Sequence, residues 1–138
     1  MTDHLLTRTI RGERVERPPV WAMRQAGRWD PEFNKLRHGL TFYEFSENVE
    51  LAAKASLLPR RFGVDGIILF YDITTLPVSM GLPFSLRAGE GPMPEHPIRS
   101  RADVERLIPE PPPASYQHIR DLLRVVECRL HELLREPL

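Results

Sequence analysis

Gly66-Ile67-Ile68-Leu69-Phe70-Tyr71-Asp72 is a continuous apolar run bounded by a glycine and an aspartate. Its Ile and Phe residues favour extended backbone, and an unbroken apolar run implies a strand covered on both faces, as in a parallel sheet. A second run, Val20-Trp21-Ala22-Met23, follows Pro18-Pro19. Proline restricts its own φ and that of the residue before it, so the entry to this run is extended. Two strands separated and followed by helical patterns make the opening of a βαβ array, and the fold class is α/β.

Between the strands, Thr41-Phe42-Tyr43-Glu44 has capping-box spacing and predicts a short helix. Asn48 is placed to cap the next, which carries Ala52, Ala53, Ala55, Leu57 and Leu58 on toward Pro59, where it should unwind before Gly63. Upstream, Asp3 can cap a helix from His4 to Arg11 that stops at Gly12. Downstream, a short helix is expected over 74–80, then an irregular excursion or small hairpin from Pro83 to Pro97. Ser100-Arg101-Ala102-Asp103 opens another short helix ending near Leu107. Pro109-Glu110-Pro111-Pro112-Pro113 is a stiff connector. From about Ser115 to Arg135, Ile119, Leu122, Leu123, Val126, Leu130, Leu133 and Leu134 recur at helical spacing, predicting a long amphipathic helix.

The 138 residues carry 19 basic and 19 acidic side chains, a balance that implies no broad attraction to nucleic acid or to a membrane surface. No apolar run approaches the roughly 20 residues of a membrane span. Met1-Thr2-Asp3-His4 does not have a signal-peptide layout, and the single cysteine, Cys128, excludes an internal disulfide. The expected location is cytoplasmic. Cys128 itself reads as a partly buried small residue.

Two features carry chemistry. Met23-Arg24-Gln25-Ala26-Gly27-Arg28 follows the first strand and precedes a turn signal at Asp30-Pro31. Two guanidiniums and a carboxamide make a donor-rich loop, and the planar fork of arginine matches a carboxylate bidentately. The alternative is a solvated arginine turn. Asp72 ends the second strand, where a carboxylate beside apolar residues is costly unless it accepts hydrogen bonds. Its alternative role is the N-cap of the segment beginning near Ile73. If both strands are parallel neighbours, the two features share the C-terminal rim of the sheet.

Pro19-Val20-Trp21-Ala22-Met23-Arg24-Gln25-Ala26-Gly27-Arg28-Trp29, followed by Pro31-Glu32-Phe33, resembles the N-terminal signature of the uroporphyrinogen decarboxylase family. Arg60 to Ile73 and the weaker Gly89-Glu90-Gly91-Pro92 match further stretches in the family's order, and the resemblance runs from about Leu5 to Leu138. It implies a (β/α)8 TIM barrel, of which this chain is an incomplete N-terminal portion, since such a barrel takes about 250 residues. Residues 1–138 then read as the truncated first part of one domain, inactive by itself and with apolar faces left exposed.

The activity implied is decarboxylation of the acetate side chains of uroporphyrinogen to give coproporphyrinogen, in a homodimer that uses no metal or organic cofactor. The resemblance gives Asp72, Arg24 and Arg28 catalytic roles. It places Arg24, Gln25, Ala26, Gly27, Arg28, Arg37 and Asp72 around the tetrapyrrole. Asp72 would accept hydrogen bonds from the pyrrole N–H groups. Gly27 would allow a special backbone conformation or a close approach. The family's active-site tyrosine and histidine would lie downstream of Leu138, and none of His4, His38, His96, His118 or His131 fills that role. Departures from the pattern are Trp29 for a tyrosine, Asp30 for an apolar residue, Ser56-Leu57-Leu58-Pro59 for Thr-Leu-Gln-Pro, and Tyr71 for a small residue beside the aspartate, where it would crowd the pocket if it points inward. Two alternatives stand beside this reading: a non-catalytic remnant, and a cobalamin-linked methyltransferase on the same barrel.

Overall fold

The computed structural model describes residues 4–22, 25–87, 91–110 and 112–135. They fall into two compact units, Met1–Phe70 with Asp121–Leu138, and Tyr71–Arg120.

The first unit is mainly helical. Helix α1 spans Leu5–Ile10, and its N-cap is His4, whose Nδ1 accepts from the Leu6 N–H; Asp3, the expected cap, lies outside the described residues. Helix α2 is the single turn Ala26–Trp29, so the expected arginine loop is helical over most of its described length. Asp30-Pro31 is a helix start rather than a simple turn. Asp30 caps α3, Pro31–Arg37, by accepting from the N–H groups of Glu32 and Phe33, with proline in the first turn where no amide partner is needed.

Thr41 and Glu44 form the reciprocal capping box at the start of α4, Phe42–Glu47. Asn48 caps α5, Val49–Leu57. At Pro59 the chain tightens into a 3-10 turn, Leu58–Phe62, ended by Gly63 at a φ of 68°, a left-handed conformation that suits glycine.

The core of this unit is built from Ala26, Phe33, Phe45 and Ala55, with Leu36, Leu40, Leu51, Leu58 and Phe70 packed against them. Phe70 sits among three rings, with centroids 5.2 Å from Phe33, 5.2 Å from Phe45 and 6.0 Å from Phe42. Its backbone is anchored as well. The Phe70 N–H donates to Ser56 Oγ at 2.7 Å, and Ser56 Oγ donates to the Ala52 carbonyl at 2.7 Å.

The expected strands are only nucleated. Val20–Ala22 and the segment 66–70 meet in one parallel bridge, Trp21 to Gly66, and Met23 lies outside the described residues. Ile68 is 44% exposed, which contradicts a strand buried on both faces. A parallel strand reaches regular geometry when ladders flank it, and among the described residues a single bridge joins these two segments. The bridge is fixed by Asp65. Its N–H donates to the Val20 carbonyl at 2.7 Å, its Oδ2 accepts from the Val20 N–H at 2.8 Å, and Arg17 grips both carboxylate oxygens.

In the second unit, α6 is Thr75–Ser79 and the glycine–proline excursion contains a hairpin, β1 (Phe84–Arg87) antiparallel to β2 (Gly91–Pro94). Helix α7, Arg101–Glu105, opens with a Ser100–Asp103 capping box and ends slightly before the expected Leu107. A 3-10 turn, Pro113–Tyr116, leads into α8, Gln117–Arg135, whose residues from Asp121 on belong to the first unit. Leu122 and Val126 on its apolar stripe are buried, and Arg129 pairs with Glu50 of α5. Cys128 is exposed rather than partly buried: it lies on the polar side of the helix.

Candidate functional site

The arginine segment is described from Gln25 onward; Arg24 lies outside the described residues. Gln25 occupies the N-cap position of α2 without a side-chain capping bond. Ala26 is buried in the core, and Gln25, Gly27 and Arg28 are exposed. Burial of Ala26 pins this single turn to Phe33 and Phe45, so its polar residues face outward from a fixed base.

Gly27 needs no left-handed backbone, because its φ is not positive. A Cβ there would lie 3.5 Å from Arg37 Nη1 and 3.7 Å from Phe33 Cε1, which is ordinary contact. The special conformation or close approach expected of Gly27 is therefore not required by the surrounding protein. The same geometry brings the Arg37 guanidinium beside the backbone of the arginine segment, although ten residues separate them in sequence.

Asp30 is the buried anchor of this region. It is 1% exposed, caps α3 and pairs with Arg61 Nη2. Burial works against its charged form, but the Arg61 hydrogen bond and the Phe33 and Glu32 N–H groups outweigh it, holding the carboxyl below its usual range. Arg61 also donates to the Leu58 carbonyl and lies 4.4 Å over the Phe62 ring, against which Trp29 packs at 5.7 Å. Both departures at 29 and 30 thus join one cluster. The signal for Asp30 was present in the sequence, as a small polar acceptor directly before a proline at a helix start.

Asp72 belongs to the second unit and is half-buried. Its Oδ1 accepts from the Thr74 N–H at 3.1 Å, its Oδ2 accepts from the Thr74 hydroxyl, and its backbone carbonyl takes the Thr75 N–H and hydroxyl. This is a local turn ahead of α6, whose N-cap position is Thr74. Asp72 is therefore not the N-cap expected in the alternative; it lies two residues before that position and holds the Thr74 N–H and hydroxyl. Thr74 is 3% exposed and holds both oxygens, yet each oxygen retains a further lone pair. Next to it, the Tyr71 hydroxyl bonds His118 Nε2, with ring centroids 5.0 Å apart.

The model of the family described as uroporphyrinogen decarboxylase matches residues 1–135, nearly the whole chain. The chain belongs to the uroporphyrinogen decarboxylase family. Proteins named uroporphyrinogen decarboxylase from Gloeobacter violaceus, Dichelobacter nodosus and Thermus thermophilus are 44%, 47% and 40% identical to it. The alignments cover 96%, 86% and 94% of this chain, and 38%, 35% and 38% of those proteins. The chain thus spans little more than a third of the length of these curated relatives. The α/β reading stands at its coarse level, as a mixed chain of helices, one hairpin and one parallel bridge. Among the described residues no helix is long and apolar enough to cross a membrane, and no cluster of His, Cys, Asp and Glu could hold a metal ion.

Proposed function

We propose that this chain supplies the first strands and part of the substrate pocket of a uroporphyrinogen decarboxylase, built as a single (β/α)8 barrel domain. The parallel Trp21–Gly66 bridge supports this, because it pairs the first two apolar runs in the sense a barrel requires. In such a barrel the residues following strands line one rim, which would put Arg24, Gln25, Ala26, Gly27 and Arg28 on the same side as Asp72. Arg37, already beside Gly27, would join them.

The chemistry follows from these groups. Arg24, Arg28 and Arg37 bind substrate carboxylates as permanently charged donors. Their pKa lies far above neutrality, so anchoring suits them better than proton donation. Asp72, with Thr74 holding it, presents its remaining lone pairs to pyrrole N–H groups. Protonation of a pyrrole carbon makes the ring cationic, and the Asp72 carboxylate stabilises that charge. The carbon–carbon bond to the acetate carboxylate then breaks, carbon dioxide leaves, and its electron pair neutralises the ring. A proton then adds to the exocyclic methylene carbon to make the methyl group, and loss of the proton first added to the ring carbon restores aromaticity. The protein acts in the cytoplasm as a homodimer, and the activity belongs to a protein of the relatives' full length.

The observation that carries this reading is the family match across residues 1–135. Fluorescence titration of the chain with uroporphyrin, a stable oxidised analogue of the substrate, tests the binding part. Saturable binding weakened by Arg28→Ala and Arg37→Ala supports it; binding indifferent to both changes counts against those roles.

A further inference from the structure

The first unit contains a groove of about 630 Å³ that the decarboxylase reading does not use. Leu36 of α3, Leu57 and Leu58 at the end of α5, and Leu133 of α8 line it, and all four are partly exposed. Its rim is cationic, carrying Lys54, Arg60, Arg61 and Arg129 against one carboxylate, Glu32. Arg61 is engaged by Asp30, Arg129 by Glu50, and Glu32 by Lys35. Among the described residues no ion pair engages Lys54 or Arg60, and both side chains are exposed.

We propose that this groove docks an acidic amphipathic helix of a partner protein. The apolar floor asks for leucine-sized anchors, and the two uncommitted cations ask for carboxylates flanking them. Helical form follows from the walls. An added strand would need an open sheet edge to take its backbone hydrogen bonds, whereas α3, α5 and α8 satisfy theirs internally. A helix brings its own backbone bonds and presents i, i+4 and i+7 side chains to the three-sided floor. Lys54 and Arg60 act at the rim, where charge pairs select the partner and its orientation more than they add affinity.

The test uses this chain grafted in place of the aligned 133 residues of the Gloeobacter violaceus relative, so that the rest of the domain is present and a groove it covers cannot bind, and a fluorescently labelled peptide with leucines at i, i+4 and i+7 and glutamates on the flanks. Anisotropy should show saturable binding, little binding of a scrambled peptide, and about tenfold weaker binding to the Lys54→Glu/Arg60→Glu variant. A peptide with lysines in place of the glutamates should recover affinity for that variant. Circular dichroism verifies that the variant retains the parent helicity, and Lys54→Gln/Arg60→Gln provides a milder second pair. No binding of the acidic peptide overturns the proposal. Equal binding of the scrambled peptide does the same, and so does displacement by decanoate with no dependence on peptide charge, which would mark a site for small amphiphiles.

Discussion

Asp65 holds Arg17 by two hydrogen bonds, of 2.6 and 2.8 Å, across a sequence separation of 48 residues. The same carboxylate takes the Val20 N–H, so one side chain ties the entry of the first apolar run to the start of the second. That tie sets the parallel register at Trp21 and Gly66. It is also titratable. Arg17 and the Val20 N–H lower the Asp65 carboxyl to about 2 from an ordinary 3.8.

A group whose folded pKa is depressed stabilises the fold fully above its unfolded value and ceases to do so as pH falls through the folded one. The Asp65 contribution is therefore complete above about pH 4 and is lost between there and about pH 2. Asp30 and Asp103 shift in the same direction and add to the loss. Urea midpoints should fall steeply from about pH 4 to pH 2.5, and Asp65→Asn should flatten part of that slope. An unchanged slope in the variant contradicts the assignment.

Asp30→Ala should be among the costlier single changes. It removes a buried cap and strips Arg61 of its carboxylate, with an expected loss of roughly 2–4 kcal/mol, at the lower end because Arg61 is partly exposed. Arg61→Ala should cost a similar amount and bring the Asp30 carboxyl up, since only the Phe33 and Glu32 N–H groups would still oppose burial. Denaturant unfolding and carboxyl NMR titration measure the two effects.

Ser56→Ala should remove the hydrogen bond that Ser56 Oγ accepts from the part-buried Phe70 N–H and cost about 1 kcal/mol, with faster amide exchange at Phe70. Ser56→Thr retains the hydroxyl and should lose less. Hydrogen exchange read at residue 70 separates this local effect from global unfolding.

Gly27→Ala should be tolerated by the fold. The new methyl makes ordinary contacts with Arg37 and Phe33, and alanine favours the helical turn over glycine by up to about 1 kcal/mol. A thermal midpoint equal to or above the parent's is expected. Weakened uroporphyrin binding in that stable variant would assign Gly27 to substrate contact.

Local signals in the sequence carried most of the helices. Thr41–Glu44, Asn48, Pro59–Gly63 and Ser100–Asp103 each encode a boundary through backbone chemistry within four or five residues, and the structure has them all. The strands were harder, because a ladder depends on partners far away in the chain. Ile67–Phe70 has the composition of a strand, but the one bridge falls just before it, at Gly66. The candidate site was legible by residue type rather than by support. Asp30 looked like a departure from a pattern, and its pairing with Arg61, 31 residues on, has no local periodicity to announce it. The pairing of His118 with Tyr71 had no local signal for the same reason.

Whether the arginine segment and Asp72 serve a tetrapyrrole decarboxylase is decided by grafting this chain in place of the aligned 133 residues of the Gloeobacter violaceus relative and measuring carbon dioxide release from uroporphyrinogen. An active chimera is expected, with a rate that falls by orders of magnitude with Asp72→Asn. A folded chimera that releases carbon dioxide equally well with either residue would contradict the role of Asp72.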